Sequence, residues 1–516
     1  MTATIRRQGT ATDRTLCTPA LAEVERLVRD EGVNCIPIYR EVLADLETPV
    51  SAYLKIVGGH RQGFLLESVE GGERIARYSF IGTDPLVTLR LHEGRVRRTT
   101  AAGTVEESSF ADPLTALQEE LARYRTASLP GLPRFSGGLV GYLGYEVVRY
   151  FEDLPIASDD ALGLPESCFL LADALLVFDH VQRRVKAVAH VLPDATGGDV
   201  AAAYAVAEAR VADLLARLRA PLIAPSLAND HPGYFDAAPS HNTTRAAYEA
   251  KVGRAKEYIA AGDIFQVVLS QRVDRPTAAD SFTIYRALRA VNPSPYMYFL
   301  QFGDFQIVGA SPELLVRLED GTVTNHPIAG TYPRGADDAE DAALAARLLA
   351  DEKERAEHIM LVDLGRNDIG RVSVPGTVRV PTLLTVERFS HVMHLVSSVE
   401  GQLRPELTGF DALRACFPAG TVSGAPKIRA MEIIAELERD RRGPYSGAVG
   451  YVSFDGTMDT CITLRTMVVK DGVVSMQAGG GIVADSDPGR EYEECFHKLG
   501  GNLRAVALAE ELVNDE

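Results

Sequence analysis

The chain has 516 residues, and its 53 Lys and Arg against 71 Asp and Glu give a formal net charge of −18 at pH 7. Hydrophobic residues make up 46% and charged residues 24%, which is typical of globular proteins and not of disordered or collagen-like chains. The negative charge disfavours binding to nucleic acid or to anionic lipid. No apolar run approaches the roughly 20 residues that a membrane span requires, and the six cysteines are scattered without a CxxC pair. The sequence therefore predicts a cytoplasmic protein with no nucleic-acid and no membrane partner.

The N-terminal half predicts mixed helices and strands. Residues 1–18 show no hydrophobic period and predict a disordered tail. Thr48 and Pro49 have the residue types of an N-cap and a first helical position, and strands are expected over residues 63–68 and 75–98.

A domain boundary is expected near the middle of the chain. An Ala-rich helix from Asp199 to Pro221 precedes residues 221–242, which are rich in Pro, Asn, Asp, His and Ser and predict a linker. This division gives an N-terminal domain over residues 19–220 and a C-terminal domain over residues 243–516.

The C-terminal half predicts antiparallel sheet interrupted by helices. A helix is expected from Thr243 and Thr244 to Gly262. Asp320-Gly321 and Asp471-Gly472 each lie between alternating apolar runs, a pattern typical of type I′ hairpins. Two longer helices are expected, one over residues 338–365 and one from Asp487 to the C-terminus.

Both of these longer helices carry acidic pairs on one face. Glu354, Glu357 and His358 lie three and four residues apart in the first, and Glu491 and Glu494 three apart in the second. Each pair alone is most often a solvated surface. If the two faces meet, four carboxylates converge, and oxygen ligands without paired Cys or clustered His favour Mg²⁺.

Two glycine-rich segments lie between the acidic helices, at residues 418–427 and 477–482. Backbone amides in such segments can bind an anion, although a simple tight turn is an equally good interpretation of each. Neither segment has the sequence of a P-loop or of a dinucleotide-binding turn, so nucleotide binding is not expected.

Taken together, these motifs resemble the chorismate-utilising enzymes, and the series as a whole resembles the anthranilate synthase component I family. The resemblance covers about residue 46 to the C-terminus and implies an α/β fold of the α+β type, with two large packed antiparallel sheets flanked by helices. It rests on segments that occur in the family's order: residues 310–313 (Ala-Ser-Pro-Glu), 327–331 (Pro-Ile-Ala-Gly-Thr), 351–368, His394, 417–427, 445–448, 464–465 and 477–494.

The resemblance implies roles for particular residues. Glu357 and Glu494 are expected to bind Mg²⁺ directly, with Glu354 and Glu491 acting through water. Glu313 resembles the general acid that protonates the departing ring hydroxyl of chorismate, and His394 is expected to assist the later loss of pyruvate. The residues expected to contact chorismate are Tyr445, Arg465, Gly479, Gly480 and Gly481 at the enolpyruvyl carboxylate, and Gly330, Thr331 and Thr421 along the ring.

Two positions distinguish the relatives of this superfamily. Isochorismate and salicylate synthases, which add water, carry a Lys where this chain has Gln266. Relatives that make aminodeoxychorismate typically carry a Lys where this chain has Ala329. Both differences favour ammonia as nucleophile and anthranilate as product. The alternatives are an aminodeoxychorismate synthase component I and a catalytically silent, tryptophan-sensing subunit.

Two further segments resemble the family's binding site for L-tryptophan as feedback inhibitor. These are residues 65–68 and 292–297, with Ser68, Pro295, Tyr296 and Met297 as expected contacts. Without the second segment, the first is an ordinary strand end. The resemblance implies a regulatory, tryptophan-binding part in residues 19–220 and a chorismate-binding, catalytic part in residues 243–516.

The nitrogen source is expected to lie on another protein. None of the six cysteines has the Gly-x-Cys-x-Gly setting of a glutamine amidotransferase. The resemblance therefore implies a separate amidotransferase subunit, component II, that supplies ammonia and assembles with this chain, in an expected heterotetramer.

Overall fold

The computed structural model describes residues 17–58, 62–68, 77–223, 238–388 and 392–514. Most of the predicted tail and residues 224–237 of the predicted linker lie outside these ranges. Within them, Cys17 is buried and Thr18 pairs with Tyr39. The last two residues of the predicted tail therefore belong to the folded structure.

The described strands are numbered in chain order. They are β1 (Ile36–Leu43), β2 (Gly63–Glu67), β3 (Tyr78–Thr83), β4 (Val87–His92), β5 (Arg95–Thr100), β6 (Val105–Ser109), β7 (Gly138–Leu143), β8 (Ser167–Ala172), β9 (Ala174–Asp179), β10 (Arg184–Val191), β11 (Ser240–His241), β12 (Gln266–Pro276), β13 (Tyr296–Gln301), β14 (Gln306–Ser311), β15 (Leu314–Glu319), β16 (Thr322–Asn325), β17 (Ile328–Pro333), β18 (Arg379–Arg388), β19 (Val392–Gln402), β20 (Gly424–Ala425), β21 (Ala448–Ser453), β22 (Met458–Ile462), β23 (Thr466–Lys470) and β24 (Val473–Ile482).

The described helices are numbered in the same way. They are α1 (Leu21–Glu31), α2 (Pro49–Ile56), α3 (Pro113–Leu121), α4 (Val200–Arg219), α5 (Arg245–Ala261), α6 (Ser281–Val291), α7 (Asp338–Ala350), α8 (Glu352–Gly370), α9 (Gly409–Cys416), α10 (Gly420–Ser423), α11 (Lys427–Leu437) and α12 (Pro488–Asn514), with short 3-10 helices at Tyr145–Tyr150 and Pro193–Thr196.

The described strands form two sheets of 12 strands each. The first has the order β1-β10-β9-β3-β2-β13-β14-β23-β24-β12-β11, with β20 also paired to β12. The second has the order β17-β19-β16-β15-β22-β21-β7-β8-β4-β5-β6, with β18 also paired to β19. Neighbouring strands in both sheets run antiparallel, as the sequence predicts.

The two sheets pack face to face between layers of helices. Phe64 and Tyr298 of the first sheet meet Tyr142 and Tyr451 of the second in one buried apolar cluster. A second cluster lies under α1, α2, α4, α6 and α12, and a third under α3, α9 and α11. Burying a large apolar side chain of this kind contributes about 1.5–3 kcal/mol, so these clusters are the main stabilising layers.

Local sequence signals correctly predict several element boundaries. The Thr48 hydroxyl accepts a hydrogen bond from the Ser51 amide at the start of α2, with Pro49 at the first position. At the β15–β16 turn, Asp320 and Gly321 have φ angles of 50° and 74°. Positive φ angles at both residues are what a type I′ hairpin requires.

One predicted helix is in fact two. The pattern over residues 338–365 predicts a continuous helix, whereas the structure divides it into α7 and α8 at Asp351, which has an extended backbone. The Asp351 carboxylate accepts hydrogen bonds from the amides of Lys353 and Glu354. Asp351 is therefore the N-cap of a new helix, a role that the charge pattern of the segment does not reveal.

The predicted domain boundary does not separate the two sheets. Strand β2 pairs with β13, and β7 pairs with β21, so each sheet combines strands from both sides of residues 221–242. Ser240 and His241, placed in the linker by the sequence, form β11 at the end of the first sheet. The division into a regulatory and a catalytic part stays a prediction about function. None of the helices in the described ranges is both long enough and apolar enough to span a membrane.

Candidate active site

A bulge at the edge of the second sheet places Gly330 and Thr331 beside His394. Ala329 and Tyr332 of β17 pair with Leu395 and Met393 of β19, so Gly330 and Thr331 together face the single residue His394. Gly330 has a φ angle of 68°, which glycine adopts without strain. The sequence predicted all three residues as members of one site, and the bulge places Gly330 and Thr331 opposite His394.

His394 is a buried, neutral imidazole. Its Nδ1 lies 2.7 Å from the Gly330 carbonyl oxygen and 3.3 Å from the Thr331 hydroxyl oxygen. Burial lowers the pKa of His394 to about 4, a value to which the opposing effect of the bond to Gly330 and the lowering effect of the Arg465 charge also contribute. Because the carbonyl can only accept, Nδ1 carries the proton, and Nε2 carries the lone pair.

Glu313 is a buried carboxylic acid between β14 and β15. Its backbone is fixed by the bond from the Ile462 amide to its carbonyl, at 3.0 Å. Burial raises the pKa of Glu313 to about 8, although Thr421 and Arg465 hold it down. At neutral pH this carboxyl is therefore largely protonated, which is the state that a general acid requires.

Arg465 connects these two groups. It follows β22 with a φ angle of 48°, a left-handed conformation that is uncommon for a residue with a side chain. Its charge lowers the pKa of both Glu313 and His394, so its guanidinium lies near both. Glu313, His394, Thr421 and Arg465, which span more than 150 positions in sequence, are thus brought to one region.

The turn that carries Tyr445 is anchored by a buried arginine. Arg442 is 1% exposed and donates to both carboxylate oxygens of Glu438 at 2.8 Å, and to the Val422 and Val268 carbonyls at 2.8 Å. It also donates to the Ser446 hydroxyl at 3.2 Å. These charge-assisted bonds hold the residues on either side of Tyr445.

Tyr445 lies against the glycine-rich end of β24. A methyl group on Gly479 would lie 2.9 Å from the Tyr445 hydroxyl oxygen, and one on Gly480 would lie 2.8 Å from a Glu491 carboxylate oxygen. A methyl group on Gly481 would clash with the side-chain amide of Gln266. The three glycines therefore let β24 pass close to the site, as a backbone anion-binding segment requires.

The acidic faces of α8 and α12 lie within electrostatic reach of each other. Burial raises the pKa of Glu354 on α8, and the charges of Glu357, Asp351 and Glu494 raise it further. Burial and the charge of Glu494 also raise the pKa of Glu491 on α12. The negative charge of Glu494 on α12 thus contributes to the raised pKa of Glu354 on α8. Carboxylates of the two helices therefore face a common region.

The carboxylates do not form a closed cluster. Within the described part of the chain, no three His, Cys, Asp or Glu side chains lie close enough to hold a metal ion. Lys498 binds Glu494 at 2.7 Å and donates to the Gly479 carbonyl at 3.0 Å. The donor set is nevertheless suited to a divalent cation, because its members are carboxylate oxygens, and burial together with nearby negative charge raises the pKa of Glu354 and Glu491.

His358 does not share the acidic face, contrary to the sequence interpretation. Its side chain is fully buried, with Nε2 at 2.6 Å from the Ser397 hydroxyl oxygen on β19. Burial lowers its pKa to about 4. Consecutive helical residues diverge by about 100°, so His358 points into the core beside the partly exposed Glu357.

The predicted inhibitor-binding segments lie side by side. In the first sheet Met297 pairs with Glu67, so Ser68 directly follows the strand that borders Tyr296 and Met297. Pro295 and Met297 are buried, and Ser68 is half-buried. Ser68, directly after β2, and Met297, on the neighbouring strand β13, are 229 positions apart in sequence. This arrangement supports the prediction that the two segments belong to one binding site.

Tyr296 also reaches the second sheet. Its hydroxyl donates to Asp459 of β22 at 3.1 Å and accepts from Arg317 of β15 at 3.0 Å. The Arg317 guanidinium donates to the same Asp459 at 3.0 Å. These two strands are the ones that border Glu313, so the inhibitor segment and the candidate active site share a structural connection.

Sequence reasoning missed Lys498, Arg442 and Ser397. Lys498 lies four residues after Glu494, so the helical spacing of opposite charges was a usable signal. Arg442 lies in a charged segment and Ser397 in an apolar strand, and their sequence surroundings give no such signal.

Comparison with known proteins agrees with this geometry. A family model described as chorismate binding enzyme matches residues 62–504. Anthranilate synthase component 1 of Pseudomonas aeruginosa is 51% identical over 495 residues, covering 95% of this chain and 99% of the relative. That of Acetivibrio thermocellus is 47% identical over 96% of this chain and 99% of the relative.

The chain belongs to the anthranilate synthase component 1 family of chorismate binding enzymes. The expected fold of this family is confirmed by a solved structure. Anthranilate synthase component I from Streptococcus pneumoniae has a TM-score of 0.74 and 39% identity, covering 89% of this chain and 98% of that one. The menaquinone-specific isochorismate synthase of Escherichia coli shares the fold with a TM-score of 0.67 but only 20% identity, covering 94% of this chain and 99% of that one. The fold alone therefore does not distinguish an anthranilate synthase from an isochorismate synthase.

Proposed function

We propose that the chain converts chorismate and ammonia to anthranilate and pyruvate in a Mg²⁺-dependent reaction, the first step of tryptophan synthesis. The feature that carries this proposal is the buried Glu313, whose pKa burial raises to about 8, together with Arg465, whose positive charge acts on both Glu313 and His394. An acid, a cation and a neutral imidazole in one region suit the removal of a hydroxyl from an anionic ring.

Glu313 is the general acid. Hydroxide is a poor leaving group, so the ring hydroxyl of chorismate must gain a proton as ammonia adds to the ring. A carboxyl with a pKa of about 8 retains its proton at neutral pH and can donate it to that oxygen. Positioned proton transfer of this kind contributes typically 10²- to 10⁴-fold to the rate.

Arg465, Tyr445 and the amides of residues 479–481 bind the enolpyruvyl carboxylate. A guanidinium provides paired donors that match a carboxylate, and backbone N–H groups add donors without a charge of their own. Gly330, Thr331 and Thr421 line the ring. His394 assists pyruvate loss, because its neutral Nε2 can accept the ring proton once nitrogen has added.

The acidic residues of α8 and α12 would hold Mg²⁺, with Glu357 and Glu494 as direct ligands and Glu354 and Glu491 acting through water. When bound, the cation would supply positive charge for the ring carboxylate of chorismate. It would also offset the negative charge that, after burial, raises the pKa of Glu354 and Glu491.

Ammonia is preferred over water as nucleophile. Gln266 lies at the start of β12 with its amide against Gly481, and an amide cannot act as the base that would activate water. Ala329, next to the bulge at Gly330, provides no amine that could attack the ring. These two residues support anthranilate over isochorismate or aminodeoxychorismate.

A separate glutamine amidotransferase subunit delivers the ammonia, and L-tryptophan inhibits through Ser68, Pro295, Tyr296 and Met297. The relatives are named component 1, which supports the existence of a second component. We expect the two subunits to assemble as a heterotetramer.

Anthranilate fluorescence tests the proposal directly. Purified chain, chorismate, Mg²⁺ and an ammonium salt at alkaline pH should give anthranilate and pyruvate in equal amounts. Aminodeoxychorismate as the product would favour the alternative of an aminodeoxychorismate synthase component I. Tryptophan binding without any turnover would favour the silent, tryptophan-sensing subunit.

A further inference from the structure

His358 occupies a costly position for a histidine. The side chain is fully buried, and its Nδ1 is buried without a hydrogen-bond partner among the residues that the structure describes. Leaving a buried polar group unsatisfied costs about 1–3 kcal/mol, whereas a leucine at this position would carry no such cost. Packing alone therefore does not account for a histidine here.

The bond between His358 and Ser397 joins three elements. Ser397 on β19 lies 2.6 Å from His358 Nε2 on α8, and its hydroxyl also accepts a 3.0 Å hydrogen bond from the Leu384 amide on β18. The Ser397 hydroxyl therefore bridges α8 and β18, and the tautomer of His358 sets which of the two side chains donates in the bond between them. Ser397 is itself fully buried.

Ser397 is also tied to the segment that forms the bulge. Its backbone amide donates to the Pro327 carbonyl at 3.1 Å, immediately before β17. On the helix side, His358 directly follows Glu357 and lies one turn after Glu354. A methyl group on Gly330 would lie 3.2 Å from a Glu354 carboxylate oxygen, so α8 and the bulge are in close contact.

We propose that His358 is a positioning residue whose hydrogen bond to Ser397 fixes the carboxylates of α8 relative to the Gly330–His394 bulge. The proposal rests on the metal-binding role assigned above to Glu354 and Glu357. Helices packed on sheets through apolar contacts alone can shift along their axis. A directed hydrogen bond in the core specifies one position, and its loss moves the metal ligands.

Direct Mn²⁺ binding tests this role apart from catalysis. The affinity of the full chain for Mn²⁺ is measured by calorimetry without chorismate in the wild type, Ser397→Ala and His358→Leu. Both variants should bind Mn²⁺ about 10-fold more weakly, the loss typical when a group supporting a metal ligand is removed. The double variant should be no weaker than either single one, because both changes break the same bond.

A matched control separates positioning from general loss of stability. Ser79→Ala removes another serine–histidine bond, 2.7 Å to His180, in the first sheet. It should lower the melting temperature as Ser397→Ala does and leave Mn²⁺ affinity unchanged. Equal Mn²⁺ affinity in Ser397→Ala, Ser79→Ala and wild type would overturn the positioning role. A wild type that binds no Mn²⁺ would overturn it together with the proposed metal site, and if His358→Leu does not fold, Ser397→Ala alone decides.

Discussion

Nδ1 of His394 lies 2.7 Å from the carbonyl oxygen of Gly330, at the point where β17 has an additional residue opposite β19. This bond fixes the tautomer of the imidazole and aligns it with the bulge. The backbone geometry of one glycine therefore determines the chemistry of a histidine 64 positions away.

Gly330→Ala should abolish most activity at a modest cost in stability. The φ angle of 68° is unfavourable for alanine by roughly 1–2 kcal/mol, and the new methyl group would lie 3.1 Å from Leu348 and 3.2 Å from Glu354. Gly376→Ala is the matched control, since it has a φ angle of 83° and no atom within 4 Å of its methyl position. Thermal melts and anthranilate assays should show similar destabilisation in both and a loss of turnover only at Gly330. An active Gly330→Ala enzyme would contradict the importance of the bulge.

Glu313→Gln should reduce kcat by about 10²- to 10⁴-fold with little change in chorismate binding, because the amide keeps the shape and lacks the acidic proton. In the wild type, activity should fall as pH rises through about 8, where Glu313 ionises. A full pH–rate profile of both proteins checks this prediction, and an unchanged alkaline limb in the variant would argue against it.

The raised pKa of Glu313 also predicts how the stability of the folded protein depends on pH. The pKa of Glu313 rises from 4.5 when unfolded to about 8 when folded, so the folded state holds the extra proton between these values. Stability should therefore fall as pH rises through this interval, by at most about 1.4 kcal/mol per pH unit from this group. Urea unfolding at several pH values should show a weaker decline for Glu313→Gln. An identical slope in both proteins would place the ionisation elsewhere.

Glu357→Gln and Glu494→Gln should each raise the Mg²⁺ concentration needed for half-maximal activity by at least about 10-fold, since an amide is a poor substitute for a carboxylate ligand. Glu493→Gln is a suitable control, because Glu493 is exposed and pairs with Arg245. Mg²⁺ titrations of initial rates provide the measurement. Full activity of the wild type in EDTA would refute the metal requirement.

Ser68→Phe should abolish inhibition by L-tryptophan and preserve turnover without inhibitor, because a large side chain would occupy the surface next to Tyr296 and Met297. Coupling between separate sites is usually about 1–3 kcal/mol, so inhibition in the wild type should change chorismate affinity by roughly 5- to 150-fold. Ser108→Phe, at an exposed position on β6, serves as the control. Inhibition curves that superimpose for Ser68→Phe and wild type would show that the site lies elsewhere.

Glutamine should not support anthranilate formation by the purified chain alone. All six cysteines are buried, and none has the Gly-x-Cys-x-Gly setting. Ammonium should support turnover of the isolated chain, and glutamine should do so only after an amidotransferase subunit is added. Glutamine-driven synthesis by the chain alone would contradict this division of labour.

Signals that act within a few residues were readable from the sequence. The N-cap at Thr48, the hairpin at Asp320 and the end of α5 at Gly262 depend on hydrogen bonds and φ angles of adjacent residues, and all three were predicted correctly. Glu313 and His394 were predicted as site residues from their motifs. In those motifs the residue type itself carries the chemistry.

Other features depend on contacts between distant parts of the chain. The burial of His358 against Ser397, the pairing of Lys498 with Gly479 and the interleaving of both halves in each sheet follow from packing. Local sequence does not encode such contacts, because they form only when elements that are far apart in the chain pack against each other and remove water from the interface. The sequence by itself thus determined the local elements, the family resemblance and the residue types available for catalysis. Only the tertiary structure decided that Glu313 is buried enough to keep its proton and that His394 is neutral, because desolvation depends on every element that surrounds these groups.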